Sequence, residues 1–307
     1  MIKLIDYLAS KTGIENKSLL EKDVLLHMLL CELSENPFFK NNLVFKGGTC
    51  LIKCYLGYYR FSEDLDFSWV KQDEFEGKSQ KEIRRILSKK ISEVTSFLEI
   101  FSKKNNLDFK ANKSDKRYIE IGGSNRQLTC KIWYRSAVLN IEQFIKIQIN
   151  FVEIFQYPFK RIETKSVLTN IDESKELSFL FPEYAEIILK HPKVSCYDIR
   201  EIFTEKVRAV LTRRGIKARD FIDLFLISKK EKINLKTIKF KVLEKTRFMM
   251  RYQKYIQNLK DFRLEKFVLG EEEKLMLRPI GNGFGKFLKN MHAFLIQLAE
   301  ELKSEAV

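Results

Sequence analysis

The sequence predicts an α+β protein of two lobes, a mixed α/β lobe over residues 1–160 and a mainly helical, basic lobe over residues 161–307. Three observations lead there. Segments with a hydrophobic period of two cluster before residue 160, whereas the later half repeats its apolar residues at helical spacing. The third is length: 307 residues exceed what one core usually organises, since single domains most often run to roughly 100–200 residues. The apolar fraction of 45% and the aromatic fraction of 12% are enough to fill packed interiors, and no stretch is polar enough to read as disordered.

In chain order, residues 16–34 place Leu19, Leu20, Val24, Leu25, Met28 and Leu29 at helical spacing and stop before Asn36 and Pro37, which cannot continue a helix. LVF at 43–45 reads as a short buried strand entering Gly47 and Gly48, and TCLIKCYL returns to helical spacing. RFSEDLDFSW alternates polar and apolar residues, the pattern of a strand beside the first. Residues 76–104 read as helix, and IEIGG, LTCKIWY and FIKIQINFVEI supply three more strands. From 160 to 182 the chain is polar and irregular, which marks a linker. The rest is mostly helix, closing with a stripe of Phe287, Met291, Phe294 and Leu298 near 284–304.

Asp6 interrupts what would have to be the apolar core of a signal peptide, and no apolar run reaches membrane-spanning length, so the expectation is a cytoplasmic protein with no membrane partner. The five cysteines are odd in number and lie among apolar neighbours, as reduced, buried thiols do. Cys50 and Cys54 stand four apart, but no third and fourth ligand of suitable spacing accompanies them, which argues against zinc. His27, His191 and His292 lie in unrelated segments and read as structural. The net charge of +15 is uneven: residues 206–266 hold nineteen Lys or Arg against six Asp or Glu, a surplus of +13. Such a concentration suits a polyanionic partner, although lysine outnumbers arginine forty to sixteen, as codon bias would also produce.

In FSEDLDF, strand alternation puts Ser62, Asp64 and Asp66 on one face, away from Phe61, Leu65 and Phe67. Two carboxylates projecting together repel each other unless a cation intervenes, and magnesium, a hard cation with oxygen ligands, suits them. Alone, this DxD pattern also fits a solvated strand face. Upstream, FKGGT sets two glycines at a strand-to-helix turn, where backbone amides can approach phosphate. With fourteen residues between Thr49 and Asp64, cradle and metal pair fall on neighbouring strands, able to hold a triphosphate and its magnesium together.

FKGGTCLIKCYLGYYRFSEDLDF resembles the signature of the AbiEii/AbiGii-type toxins, nucleotidyltransferase-like members of bacterial toxin–antitoxin pairs, and EIFTEKVRAVLTRRGIKARDFIDLF is similar to that family's later Glu-Lys and Arg-Asp motif. The resemblance implies a polymerase-beta-like nucleotidyltransferase core, a helical second lobe, and transfer of a nucleotide from an NTP, in some members to tRNA, with a cognate antitoxin protein or RNA as partner. It assigns phosphate binding to Gly47, Gly48 and Thr49, metal binding to Asp64 and Asp66, a lining role to Ser62, and completion of the site to Lys206 and Asp220. A third carboxylate often present in the superfamily is missing: Gln148 stands at its position, and Glu153 is the nearest substitute. Other acceptors compatible with the sequence are a small molecule or a protein, and an inactive nucleic-acid-binding homologue is the remaining alternative.

Lys206 also stands out by itself. On a helix near 198–213 it falls within the apolar stripe of Ile199, Phe203 and Val210, where a charge is costly unless its ammonium meets negative charge, as in a nucleotide pocket. Lys206→Met is accordingly expected to keep the fold while losing function. Asp220, near the start of the helix ARDFIDLF, equally suits the positive end of that helix dipole.

Overall fold

A computed structural model describes residues 1–123, 126–169, 174–264 and 267–305. The chain divides into two units: a sheet unit, Met1–Glu153 with Phe159–Cys196, and a helical unit, Ile154–Pro158 with Tyr197–Val307.

Among the described residues the sheet unit contains seven strands, β1 (Leu43–Lys46), β2 (Asp64–Trp69), β3 (Ile119–Gly122), β4 (Gln127–Arg135), β5 (Glu142–Asn150), β6 (Lys160–Glu163) and β7 (Lys193–Cys196). Their order across the sheet is β3-β4-β5-β2-β1-β7-β6. β2 runs antiparallel to β1 and parallel to β5, while β7 is parallel to β1. Its helices are α1 (Ile2–Thr12), α2 (Lys17–Glu35), α3 (Pro37–Asn42), α4 (Gly47–Cys50), α5 (Gln80–Lys104), α6 (Ser174–Leu180) and α7 (Pro182–Leu189). Local chemistry sets several ends. Asn16 accepts a hydrogen bond from the Leu19 amide at the start of α2, and Asn36 accepts one from the Phe38 amide ahead of α3, with Pro37 in its first turn. Ser79 and Glu82 form a reciprocal capping box on α5, whose Leu87, Ile91, Val94 and Leu98 are fully buried.

The sheet has one apolar and one polar face, in the alternation anticipated from the sequence. Phe45, Leu65, Phe67, Leu128, Cys130, Ile145, Ile147 and Ile149 are buried. Register brings the intervening polar residues into rows: Lys146 lies beside Asp64, and Gln148 beside Asp66, which in turn faces Lys46 of β1.

The boundary expected at 160/161 differs from the structure. Residues 160–163 and 193–196 pair as β6 and β7 at the sheet edge, which keeps 159–196 in the first unit. The segment expected to be a linker over 160–182 therefore contains β6 and α6; its residues 170–173 lie outside the described residues.

The helical unit comprises α8 (Ile199–Thr212), α9 (Ala218–Glu231), α10 (Leu235–Met249), α11 (Gln253–Lys260) and α12 (Phe284–Glu305). Phe203, Phe221, Leu224, Leu295, Leu298 and Leu302 are in its core. The five-residue strap 154–158 is anchored by a buried ion pair: Lys245 Nζ lies 2.5 Å from Glu201 Oε1 and donates to the Ile154 carbonyl, while Glu201 Oε2 accepts from the amides of Gln156 and Tyr157. Among the described residues, no helix is long and apolar enough to cross a membrane.

Candidate active site

The polar face of β2 and the turn after β1 meet around the two glycines. Gly47 has φ +77°, a left-handed backbone that disfavours any side chain. A Cβ there would lie 2.2 Å from Asp66 Oδ2, so the carboxylate rests directly on the glycine backbone. A Cβ on Gly48 would lie 2.8 Å from Arg60 Nη2 and 2.9 Å from Ser62 Oγ. Both glycines thus let the side chains of Asp66, Arg60 and Ser62 pack directly against the turn. Thr49 Oγ1 donates to the Asp64 carbonyl at 2.5 Å, tying the turn to β2. The Thr49 hydroxyl proton is therefore committed to positioning, whereas phosphate binding was the role the resemblance implied.

Asp64 and Asp66 are both half-buried on the same face. Asp64 Oδ2 lies 2.9 Å from Lys146 Nζ, its register neighbour on β5. At the third-carboxylate position, Gln148 donates from Nε2 to Thr129 Oγ1 at 3.3 Å. Glu153 lies beyond β5, buried, with Oε2 3.5 Å from Lys46 Nζ. Among the described residues no third acidic group closes on the pair at ligand distance. Two carboxylates projecting together beside a turn held free of Cβ atoms nonetheless form a hard oxygen donor set, and the residues fit a divalent cation.

In the helical unit, Lys206 and Asp220 meet each other. Lys206 Nζ lies 2.9 Å from Asp220 Oδ1 and 2.5 Å from Asp223 Oδ2, and Arg213 Nη1 lies 2.7 Å from Asp220 Oδ2. The negative charge that makes Lys206 tolerable in its apolar stripe is thus protein carboxylate on α9. Burial favours the neutral acid at Asp220, but the charges of Lys206 and Arg213 outweigh it and hold the carboxyl well below the usual carboxylate range. Glu205 pairs with Arg208 one turn on. The histidines are structural: His27 Nε2 donates to the carbonyls of Ile187 and Lys190, His191 Nδ1 lies 3.0 Å from the Thr164 carbonyl, and His292 meets the Phe221 ring edge-on.

Sequence reasoning missed Arg60 and Lys146. Arg60 sits two residues before Ser62 within the quoted motif, but nothing in its spacing distinguished a buried guanidinium from a surface one. Lys146 becomes visible only through the β2–β5 register. The structure also brings Cys196, at the end of β7, to Cys50 and Cys54, a third thiol that no local spacing could reveal.

A comparison with curated proteins finds no match. Among solved structures, the chain is similar to MenT4, a nucleotidyltransferase toxin of Mycobacterium tuberculosis H37Rv, with a TM-score of 0.60, 21% identity, and coverage of 98% of this chain and 96% of that one. At this identity the likeness concerns the fold. JHP933 of Helicobacter pylori aligns over 95% of this chain and 96% of its own at 16% identity, with a TM-score of 0.45. The profile of a family described as nucleotidyl transferase AbiEii toxin, type IV toxin–antitoxin system, matches residues 29–300. That span contains both the glycine-and-aspartate site and the Lys206–Asp220 cluster, and the chain belongs to this family of NTP-dependent nucleotidyltransferase toxins.

Proposed function

We propose that this toxin transfers a nucleotide from an NTP to an RNA acceptor, tRNA in particular, using magnesium held by Asp64 and Asp66. When bound, magnesium supplies positive charge to the triphosphate oxygens. The Gly47–Gly48 turn receives the phosphates, with Ser62 lining it and the buried Arg60 guanidinium supporting the turn from behind. An acceptor hydroxyl attacks the α-phosphorus and pyrophosphate leaves, so the chain's main contribution is placement and charge. Lys146 holds Asp64 in position and adds a cation to the same face. Lys206 neutralises charge, and Asp220 orients Lys206. The working compartment is the cytoplasm, and the antitoxin implied by the family, protein or RNA, is the cognate partner.

The observation supporting RNA is the placement of charge in the helical unit. Several cations of the 206–266 segment are matched internally, among them Lys206, Arg219, Lys239, Lys245 and Arg247; Lys266 lies outside the described residues. Arg214, Lys229, Lys236, Arg251 and Lys254 are exposed, and Phe240, 68% exposed, lies on α10, which also carries Lys236. Exposed cations and an exposed ring in the same unit suit phosphate contact and base stacking. Phe248, Tyr252 and Tyr255 are half-buried, with Arg251 stacked on Phe248 and the two tyrosines in edge contact, so helix packing uses much of their surface.

The test is to incubate the protein with each labelled NTP and total RNA, then separate RNA, protein and small-molecule products. Label in RNA is the expected result; label confined to protein or to a small molecule replaces the acceptor. Binding to the labelled RNA should weaken linearly with log salt, and Lys229→Glu with Lys230→Glu should flatten the slope by about 1.8, at about 0.9 per lost phosphate contact. Arg247 is a poorer probe, since its guanidinium is held by Glu305.

A further inference from the structure

Three thiols meet at the far end of the helical turn that begins at Gly47. Cys50 ends α4, Cys54 lies in the π-helix Leu51–Leu56 that continues it, and Cys196 ends β7, where Phe45 and Cys196 are register neighbours in the parallel β1–β7 pair. Their Sγ atoms all lie within 4.8 Å of one another, and the side chains are buried, Cys50 and Cys196 fully and Cys54 to 7% exposure. Three sulfurs around one zinc-sized cation, at about 2.3 Å each, would stand about 4 Å apart. The trio thus needs to contract by less than 1 Å to become a ligand set, a far smaller movement than closing any pair to a disulfide, at about 2 Å.

Two further features point to a built site. Short π-helical segments are rare and occur frequently at functional positions, and this one carries Cys54. The Tyr55 hydroxyl lies 3.7 Å from the Cys196 sulfur, which puts an oxygen beside the trio. We propose that Cys50, Cys54 and Cys196 form a binding site for a thiophilic d10 divalent cation, zinc by chemistry, that clasps the helix after the glycine turn to β7. Binding takes one cation and three thiols, forms three metal–sulfur bonds and releases three protons to solvent, because each coordinating sulfur is a thiolate, leaving a centre of net charge −1. Burial first, then hydrogen bonds with Cys196 and Cys54, push the Cys50 thiol well above its usual range. The site is distinct from the carboxylate pair in donor type, since thiolates select soft cations and carboxylates hard ones.

The probe is cadmium(II), titrated into the reduced, folded full-length protein. Expected are a sulfur-to-cadmium charge-transfer absorption that saturates at one equivalent, release of three protons per cation in weak buffer, and a higher melting temperature, because a cation bound only by the native state stabilises it. Cys196→Ser and Cys54→Ser, each first shown by melting to be folded, should lower cadmium affinity at least 100-fold, while Cys31→Ser with Cys130→Ser should leave it unchanged. Zinc should compete stoichiometrically with cadmium, and magnesium should not. Absence of the absorption in the wild type, or its persistence in both single variants, would overturn the proposal.

Discussion

Gly47→Ala tests the cradle directly. An alanine at φ +77° incurs a left-handed backbone penalty of ~1–2 kcal/mol. Its methyl would lie 2.2 Å from Asp66 Oδ2, 2.9 Å from Cγ and 3.0 Å from Cβ. Rotating the carboxylate relieves the first two contacts but not the third, so β2 or the turn must also yield. Restoring ordinary contact moves the carboxylate by about 1 Å, a misplacement worth about 100-fold in rate at a site that works by positioning. Nucleotide transfer by Gly47→Ala, measured with labelled NTP, should fall by at least that factor, with a urea-melt loss of a few kcal/mol. The two contributions separate in a double-mutant cycle. With Asp66→Ala already present, the oxygen and Cγ contacts are gone and only the Cβ contact at 3.0 Å remains, so Gly47→Ala should cost less than it does beside the intact carboxylate. Gly48→Ala is a useful contrast, because it meets the ends of the Arg60 and Ser62 side chains, which can shift. Equal stability costs for Gly47→Ala with and without the Asp66 carboxylate, or transfer at the wild-type rate, would refute the claim that this glycine exists to seat Asp66.

Asp64→Ala and Asp66→Ala should each abolish transfer; Asp64→Ala should melt within about 1 kcal/mol of wild type, because its partner Lys146 is partly solvated, and full transfer by either variant would remove the metal assignment. Lys206→Met should lose transfer and also, contrary to the expectation from sequence, lose about 3–5 kcal/mol of stability, because it strips a cation from two buried carboxylates; an unaltered melt would show that Arg213 alone suffices for the cluster. Burial, followed by the Lys53 charge, lowers the His27 pKa to about 3, so the native state excludes a proton that the unfolded chain binds below about 6.5. Stability is fully present above that pH and should fall by about 1.4 kcal/mol per unit as pH drops from about 6.5 toward 3. His27→Gln should flatten that slope in a pH series of urea melts, and an unchanged slope would locate the titration elsewhere.

The parts of the fold legible in the sequence were those with strong local periodicity. β2 and β5 alternate cleanly because one face of each is buried against apolar neighbours, and α2, α5 and α12 keep long apolar stripes. β6 and β7 escaped notice because KRIE and KVSC are four residues long, partly exposed, and strands only by virtue of pairing with each other and with β1. The turn and the aspartate pair were readable because glycine and alternating carboxylates leave a local imprint. Arg60, Lys146 and Cys196 were not, since their roles arise from residues far away in sequence. Lys206 shows the intermediate case: periodicity exposed the buried charge, but only tertiary packing could name Asp220 and Asp223 as its counterions.

The strap 154–158 makes the two units interleaved along the chain, so that no single cut separates them. A truncation at 160/161 would leave the strap on the wrong fragment, and the helical unit would inherit Glu201 without the amides of Gln156 and Tyr157, and Lys245 without the Ile154 carbonyl. Recombination that swaps the helical unit between relatives therefore has to carry a five-residue insert from within the other unit's sequence along with it. Because the strap meets Glu201 and Lys245 through backbone amides and a carbonyl, what such an exchange has to preserve is the path of the chain at 154–158 and the charges at 201 and 245.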